Sequence, residues 1–223
     1  MLPVHNQAEH IGRLVDGYVV TLSALVGELE LLLIPNASSD NSVQVCEHLA
    51  AKHASVSVID LGGSGGWGRA VRAGLEAAQG DTLCFTNSAR TTPEMLALVL
   101  TYARAYPDVV VKANRRLRDH WPRRLGSLVY NLECRVLFDL AWWDVNGTPK
   151  VFPRSFGKLL ELRRNDDLID AEFSVVCRRE GYPLIEVPFR EVERHGGRST
   201  TGYRSAVRMY VGAYRLWLEA RRA

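Results

Sequence analysis

Residues 30–40 read ELLLIPNASSD, and they decide the fold. Leu31 to Ile34 form an unbroken apolar run with no polar alternation, as expected for a strand covered by helices on both faces. The run stops at Pro35-Asn36-Ala37-Ser38, a turn-forming cluster. Asp40 then stands where it can cap a following helix. Buried strand, polar turn and capped helix are the parts of a βαβ unit.

The same grammar extends in both directions. Upstream, Met1 to His5 reads as the end of a strand. Ile11, Leu14, Val15, Tyr18, Leu22, Leu25 and Val26 then space out one apolar helix face within residues 9–27. The first strand begins at Met1 with almost no room before Pro3, so either it is short or the natural chain starts further upstream. Downstream, strands are predicted at 56–61, 82–86 and 109–112. A helix is predicted at 69–78, and another opens at Pro93, a suitable first-turn proline. Strands alternating with helices over about 110 residues imply a mostly parallel sheet. The second half predicts a helix near 124–140, a short strand at 150–152, a helix near 168–180 and a strand at 184–189. A Gly-rich loop at 195–199 and a helix over about 203–221 complete it.

With 223 residues, 47% of them hydrophobic and 24% charged, the chain can bury the core of one sizeable domain. The net charge of +3 gives no case for nucleic acid. Arginines do cluster, at Arg115, Arg116, Arg118, Arg123 and Arg124 and again at Arg215, Arg221 and Arg222. Such runs are either solvated faces or receivers of phosphate or an anionic membrane. Cys46, Cys84, Cys134 and Cys177 lie far apart, which argues against a metal or disulfide framework and for a reducing cytoplasm. No signal peptide is evident, and no stretch reaches the roughly 18 apolar residues that span a bilayer.

In an open parallel sheet, ligands sit beyond the carboxyl ends of the strands. The residues predicted there are His5-Asn6, Asn36 to Ser38, Gly62 to Gly68, Asn87 to Ala89, and Asn114-Arg115. Gly63-Ser64-Gly65-Gly66-Trp67-Gly68 spells G-x-G-x-x-G, the dinucleotide pattern. It follows the third strand rather than the first, and the next strand ends at Asn87 where that pattern needs an acid. The plainer reading is a glycine turn that lets the chain pass close to something, with Trp67 as a wall.

An ordered series of motifs resembles family 2 glycosyltransferases. Pro3-Val4-His5-Asn6-Gln7-Ala8-Glu9-His10-Ile11 is similar to their P-V-[YFH]-N-E-x-x-x-I opening. Residues 35–42 resemble their D-D-G-S-T-D-G-T turn, and Gly66 to Gly74 their G-x-G-x-A-x-R-x-G segment, with Arg72 at its arginine. Asn87-Ser88-Ala89 stands where the family has D-A-D. Further on, Arg123-Arg124-Leu125-Gly126-Ser127 with Tyr130-Asn131 resembles a segment of polyprenyl-phosphate sugar transferases. So do Asp144 to Phe152 (D-x-x-x-G-x-K-x-F), Asp170-Ala171-Glu172 (D-x-E) and the loop His195 to Ser199. The correspondence covers nearly the whole chain and is nearest to the dolichol-phosphate mannose synthase-like group.

The resemblance implies a GT-A fold, an α/β architecture with a mostly parallel Rossmann-like sheet flanked by helices, as a single domain over 1–223. Residues 1–115 would be the nucleotide-binding half. Residues 116–223 would be the acceptor half, with a C-terminal amphipathic helix. Pro3, His5, Asn6, Asn36, Ser38, Gly66, Arg72, Asn87, Ser88 and Ala89 would line the nucleotide. Asn36 is equally read as a turn residue. Arg115, Arg123, Ser127, Lys150, Arg198 and Ser199 would take phosphate or acceptor. The family's aspartates hold Mg or Mn, and Asn87 and Ala89 argue against such a site, so no metal ligand is assigned. Either arginines, including Arg90, replace the cation, or the chain binds nucleotide or a partner protein without catalysis.

The implied reaction is an inverting transfer from a nucleotide-diphosphate sugar to a lipid phosphate, which needs no general base, or to a small hydroxyl. A hydroxyl acceptor needs a carboxylate. Asp144, Asp170 and Glu172 are the candidates, the plainer reading of each being a helix cap or ion-pair member. The last helix interleaves apolar residues with arginines. It can lie on the inner face of a membrane, pack on the domain or pair with a second subunit.

Overall fold

The computed structural model describes residues 1–63, 65–117, 121–190, 195–196 and 203–222. Strands β1 (Leu2–Val4), β2 (Leu31–Pro35), β3 (Val56–Val58) and β4 (Thr82–Phe85) alternate with helices α1 (Ile11–Ser23), α2 (Ser42–Lys52), α3 (Trp67–Ala77) and α4 (Pro93–Ala105). Then come β5 (Val110–Leu117), α5 (Trp121–Phe138), β6 (Lys150–Pro153), α6 (Ile169–Arg179), β7 (Leu184–Arg190) and α7 (Tyr203–Arg222).

Local chemistry accounts for these elements. All five residues of β2 are buried, as an apolar run flanked by two helix layers requires. Helix α1 buries Ile11, Leu14, Val15, Tyr18 and Leu22, one stripe at helical spacing. Thr92 caps α4 by accepting from the Met95 N–H at 3.2 Å, and Pro93 occupies the first turn. Asp40 acts at the start of α2 as expected, accepting the Ser42 N–H at 3.0 Å, although Asn41 is the formal cap residue.

Strands β1, β2 and β3 pair in parallel. The other sheet has the order β4-β6-β5-β7. The two are stitched by Met1, whose terminal ammonium donates to the Cys84 carbonyl at 2.8 Å and whose carbonyl accepts from the Thr86 N–H at 3.2 Å. That is the slanted bonding of a parallel pair. The sheet is therefore not parallel throughout. β6 runs antiparallel to both β4 and β5, while β5 and β7 are parallel. Its direction follows from its connection: the chain leaving α5 reaches β6 at the carboxyl edge, so β6 must run back from it.

One apolar cluster draws on both halves of the chain, from Met1, Ile34 and Val71 to Phe152, Phe173 and Leu216. At its centre Phe173 meets Phe85 and Phe152 edge to face, with centroids 5.6 and 5.5 Å away. Burying such a ring is worth about 1.5–3 kcal/mol.

Candidate functional site

Because β1, β2 and β4 lie side by side and point the same way, their end turns meet. The Asn36 N–H donates to the Val4 carbonyl at 2.9 Å, and its side-chain amide donates there too at 3.1 Å. Asn6 adopts a left-handed φ of 51°, which asparagine tolerates better than most residues. Its N–H donates to Ser38 Oγ at 3.2 Å, and its side-chain oxygen accepts from Ser39 at 2.7 Å. The His5 ring nitrogen Nδ1 lies 2.9 Å from the Asn36 carbonyl. Ser88 donates to the Pro3 carbonyl at 3.0 Å. Pro3, His5, Asn6, Asn36, Ser38 and Ser88 thus share one edge. The Asn36 side-chain oxygen accepts from Gly66 at 3.3 Å, so its turn-forming duties are filled by the protein itself.

The Asn87–Ala89 turn closes on itself. Asn87 Oδ1 accepts from the Ala89 N–H at 2.7 Å, and Ala89 is buried. A neutral amide oxygen already taken and a methyl group do not suit a hard divalent cation, which selects several oxygen ligands. Among the described residues no group of three or more His, Cys, Asp or Glu is arranged to hold a metal ion. The residues at this turn do not fit the family's cation. The His195 N–H donates to the Ala89 carbonyl at 2.8 Å, so His195-Gly196 sits against this turn. Arg198 and Ser199 lie outside the described residues, as does the side chain of Arg123.

The glycine-rich segment serves the protein rather than a dinucleotide. A Cβ at Gly68 would sit 2.4 Å from the Arg164 carbonyl oxygen and 2.6 Å from that of Asp166; one at Gly66 would sit 2.5 Å from the Asn165 oxygen. The Asn165 carbonyl accepts the Arg69 N–H at 3.0 Å. Residues 163–166 therefore cover the N-terminus of α3, the place where a pyrophosphate would rest. Arg72 holds the same segment, bonding Asn165 Oδ1 at 2.6 Å and the Arg163 carbonyl at 3.3 Å. Glu172 accepts from the Arg163 and Arg164 N–H groups at 3.0 and 2.9 Å. Arg72 and Glu172 thus both clasp this segment.

The remaining carboxylates are also engaged. Asp144 is buried and clamps Arg115, with Oδ2 2.7 Å from Nε and Oδ1 2.9 Å from Nη2. Asp170 pairs with Lys150 and accepts from Trp67 Nε1 at 3.0 Å. Lys150 is wholly buried over the faces of Phe85 and Phe173. Burial lowers its pKa, against the pull of Asp170. It is a pillar of the interior rather than a surface phosphate ligand. Ser127 is half-buried on α5.

Two residues at this edge escaped the sequence reading. Lys112 is wholly buried and bonds Glu186 at 2.9 Å as well as the Asp144 carbonyl. Glu186 also accepts from Asn114, from the Trp143 N–H and from the Asp144 N–H, each at 3.0 Å. Burial acts to raise the Glu186 carboxyl, but the Lys112 charge and the main-chain donors outweigh it and hold it below its usual value. The signal was a charge inside each of two apolar strands, and the β5–β7 register sets Lys112 opposite Glu186. The cysteines offer no nucleophile. Burial pushes Cys46, Cys134 and Cys177 up to about 12 and Cys84 to about 11.

Comparison with known proteins adds independent information. Residues 1–156 match the family described as glycosyl transferase family 2. An undecaprenyl-phosphate 4-deoxy-4-formamido-L-arabinose transferase of Proteus mirabilis is 31% identical over 203 residues, covering 89% of this chain and 61% of that protein. The chain thus spans about six tenths of that relative's length. Among solved structures, glucosyl-3-phosphoglycerate synthase of Mycobacterium tuberculosis, with Mn2+, UDP-glucose and glycerol 3-phosphate, superimposes with a TM-score of 0.70 at 16% identity. The match covers 98% of this chain and 77% of that one. A mannosyltransferase of Pyrobaculum calidifontis with GDP-Man and Mn2+ gives 0.61 at 17% identity, over 100% and 63% of the two chains. These likenesses show the GT-A fold.

Proposed function

This chain belongs to glycosyl transferase family 2, and from that premise we propose that it transfers a sugar from a nucleotide-diphosphate sugar to a polyprenyl phosphate. The acceptor class is taken from the Proteus mirabilis relative, whose name specifies undecaprenyl phosphate. The donor rests against the shared edge formed by the turns after β1, β2 and β4. One observation carries the acceptor reading. All three candidate bases already have internal partners: Asp144 with Arg115, Asp170 with Lys150 and Trp67, Glu172 with main-chain N–H groups. A general base must reach the proton it removes. A phosphate acceptor carries no such proton. Its anionic oxygen attacks the anomeric carbon and forms the new C–O bond. The bond from that carbon to the diphosphate breaks on the opposite face, and the nucleoside diphosphate leaves with the electron pair, so configuration inverts.

The departing diphosphate gathers charge that must be met. Arg115, preorganised by Asp144, and Arg198 supply the positive charge in place of an aspartate-held cation, since guanidinium N–H groups match phosphate oxygens. Proximity and orientation supply the rest.

A second reading, a catalytically silent homologue that binds nucleotide or a partner protein, is favoured by the Asn87 and Ala89 replacements alone. The experiment is to incubate the protein with UDP- and GDP-sugars and undecaprenyl phosphate, with EDTA or with Mn2+, and to assay nucleoside diphosphate release. Acceptor-dependent release that survives EDTA supports the proposal. Nucleotide-induced thermal stabilisation without release supports the silent homologue. Absence of both rejects the two readings together.

A further inference from the structure

We infer that Glu186 is a positioning residue for the proposed transfer: it fixes the main chain at Trp143-Asp144 and so aims the Arg115 guanidinium at the leaving diphosphate. The inference rests on that transfer for its kinetic arm alone, since the placing of Arg115 is measured without substrate.

Glu186 sits inside β7, in register with Lys112 of β5. Its two oxygens divide four donors evenly. Oε1 accepts from Lys112 Nζ at 2.9 Å and from the Asp144 N–H at 3.0 Å. Oε2 accepts from the Asn114 side-chain amide and from the Trp143 N–H, each at 3.0 Å. Each oxygen therefore joins one side chain of β5 to one main-chain N–H of the 143–144 step. Lys112 completes the clasp by donating to the Asp144 carbonyl. One largely buried ion pair thus grips residue 144 at both its N–H and its carbonyl.

The setting makes that grip matter. Asp144 lies between the end of α5 at Phe138 and the start of β6 at Lys150, where no helix or strand ladder fixes the main chain. Two further bonds steady the stretch, from the Val145 N–H to Asn131 Oδ1 at 3.1 Å and from the Gly147 N–H to the Asp144 carbonyl at 2.9 Å, but neither takes up the Asp144 N–H. The Asp144 carboxylate in turn holds the Arg115 fork through Nε and Nη2. Arg115 keeps 19% of its side chain exposed against 4% for Asp144, so the guanidinium is the accessible end of this chain of contacts. A long arginine side chain loses much rotamer freedom when it is ordered. Its direction is inherited from Asp144, and that of Asp144 from Glu186.

Stability alone does not call for this arrangement. Apolar side chains of similar volume join two strands as well, because desolvating a charged pair offsets the attraction between its members. A carboxylate differs in what it accepts. Its two oxygens take a lysine, an amide and two successive main-chain N–H groups at once, whereas a glutamine has one acceptor oxygen and an apolar side chain none.

The test uses the full chain. Lys112→Met with Glu186→Gln removes both charges together, which an interior tolerates better than the loss of one, and leaves a single acceptor oxygen at position 186. Glu186→Asp is the second variant; it keeps the charge and both oxygens but draws them back by a methylene. Arg115→Lys assigns the Arg115 Nε–H signal in an isotope-edited NMR spectrum of the arginine side chains. In the wild type that proton should exchange slowly with solvent, because Asp144 accepts it. In both Glu186 variants it should exchange roughly tenfold faster, a local opening in a protein that otherwise keeps its folded spectrum. In acceptor-dependent diphosphate release, kcat should fall roughly tenfold with the donor KM little changed, since an interaction made in the transition state is lost. The same substitutions placed on Arg115→Ala should lower kcat no further, because both changes act on one group. A merely structural Glu186 would leave Arg115 exchange unchanged, and its kcat losses would multiply with that of Arg115→Ala; either result overturns the inference. Wild-type protein that releases no diphosphate rejects the transfer reading instead, and the exchange measurement still decides whether Glu186 places Arg115.

Discussion

Asp144 holds Arg115 by three hydrogen bonds, from the guanidinium Nε at 2.7 Å, from Nη2 at 2.9 Å and from the Arg115 main-chain N–H at 2.9 Å. Arg115, in the C-terminal half of β5, is thereby fixed in both backbone and side chain. A side chain locked by its neighbours needs no reordering when substrate arrives.

Asp144→Asn keeps the shape but removes the charge and one acceptor. Arg115 keeps a partly exposed guanidinium, so the loss of stability is expected at about 1–3 kcal/mol, below that of a wholly buried pair. Transfer should fall roughly 100-fold as the arginine loses its orientation. Urea denaturation and acceptor-dependent diphosphate release measure the two effects separately.

Glu186→Gln leaves the Lys112 ammonium buried without a counter-charge, and a loss of about 3–5 kcal/mol is expected. The sign with pH follows from the depressed Glu186 carboxyl. Its stabilisation is complete above the unfolded value, about 4.3, and is lost as pH falls through the lower folded value. The stability gap between wild type and variant should therefore be constant near neutrality and narrow in acid. Denaturation midpoints across that range check it.

Gly68→Ala pushes a methyl group into two main-chain oxygens, 2.4 and 2.6 Å from the new Cβ. A cost of about 1–3 kcal/mol is expected, because the covering segment 163–166 must lift from α3. Gly12→Ala is the matched control. Its Cβ meets nothing within 4 Å, and it lies inside α1. That change should stabilise by about 0.5–1 kcal/mol. Thermal melts of the two variants should move in opposite directions.

The four thiols are unlinked, and burial raises all of them. Ellman's reagent at neutral pH should react slowly with native protein and rapidly with four thiols per chain in guanidinium. A fast-reacting thiol in the native state would contradict the packing around it.

Much of the architecture was legible in order along the chain. The unbroken apolar run at Leu31–Ile34 and the helical spacing from Ile11 to Leu22 report burial within a few residues, which is a local property. Pro93 marked the start of α4 for the same reason. The turn residues Asn6, Asn36 and Ser38 were placed together because parallel strands bring their carboxyl ends to one edge. The α3 start was read two residues late, at Arg69 instead of Trp67, since glycine-rich turns blur helix ends.

The direction of β6, the covering of Gly66 and Gly68 by residues 163–166, and the pairing of Lys112 with Glu186 had no local signature. Each depends on which distant segments become neighbours, and strand order sets that rather than spacing along the chain. Sequence by itself determined the alternation of strands and helices and the residues at their ends, because burial periodicity and turn chemistry act over a few positions. Only the tertiary structure decided which charges meet. An ion pair such as Asp144 with Arg115, or Asp170 with Lys150, forms where packing closes the distance and excludes water.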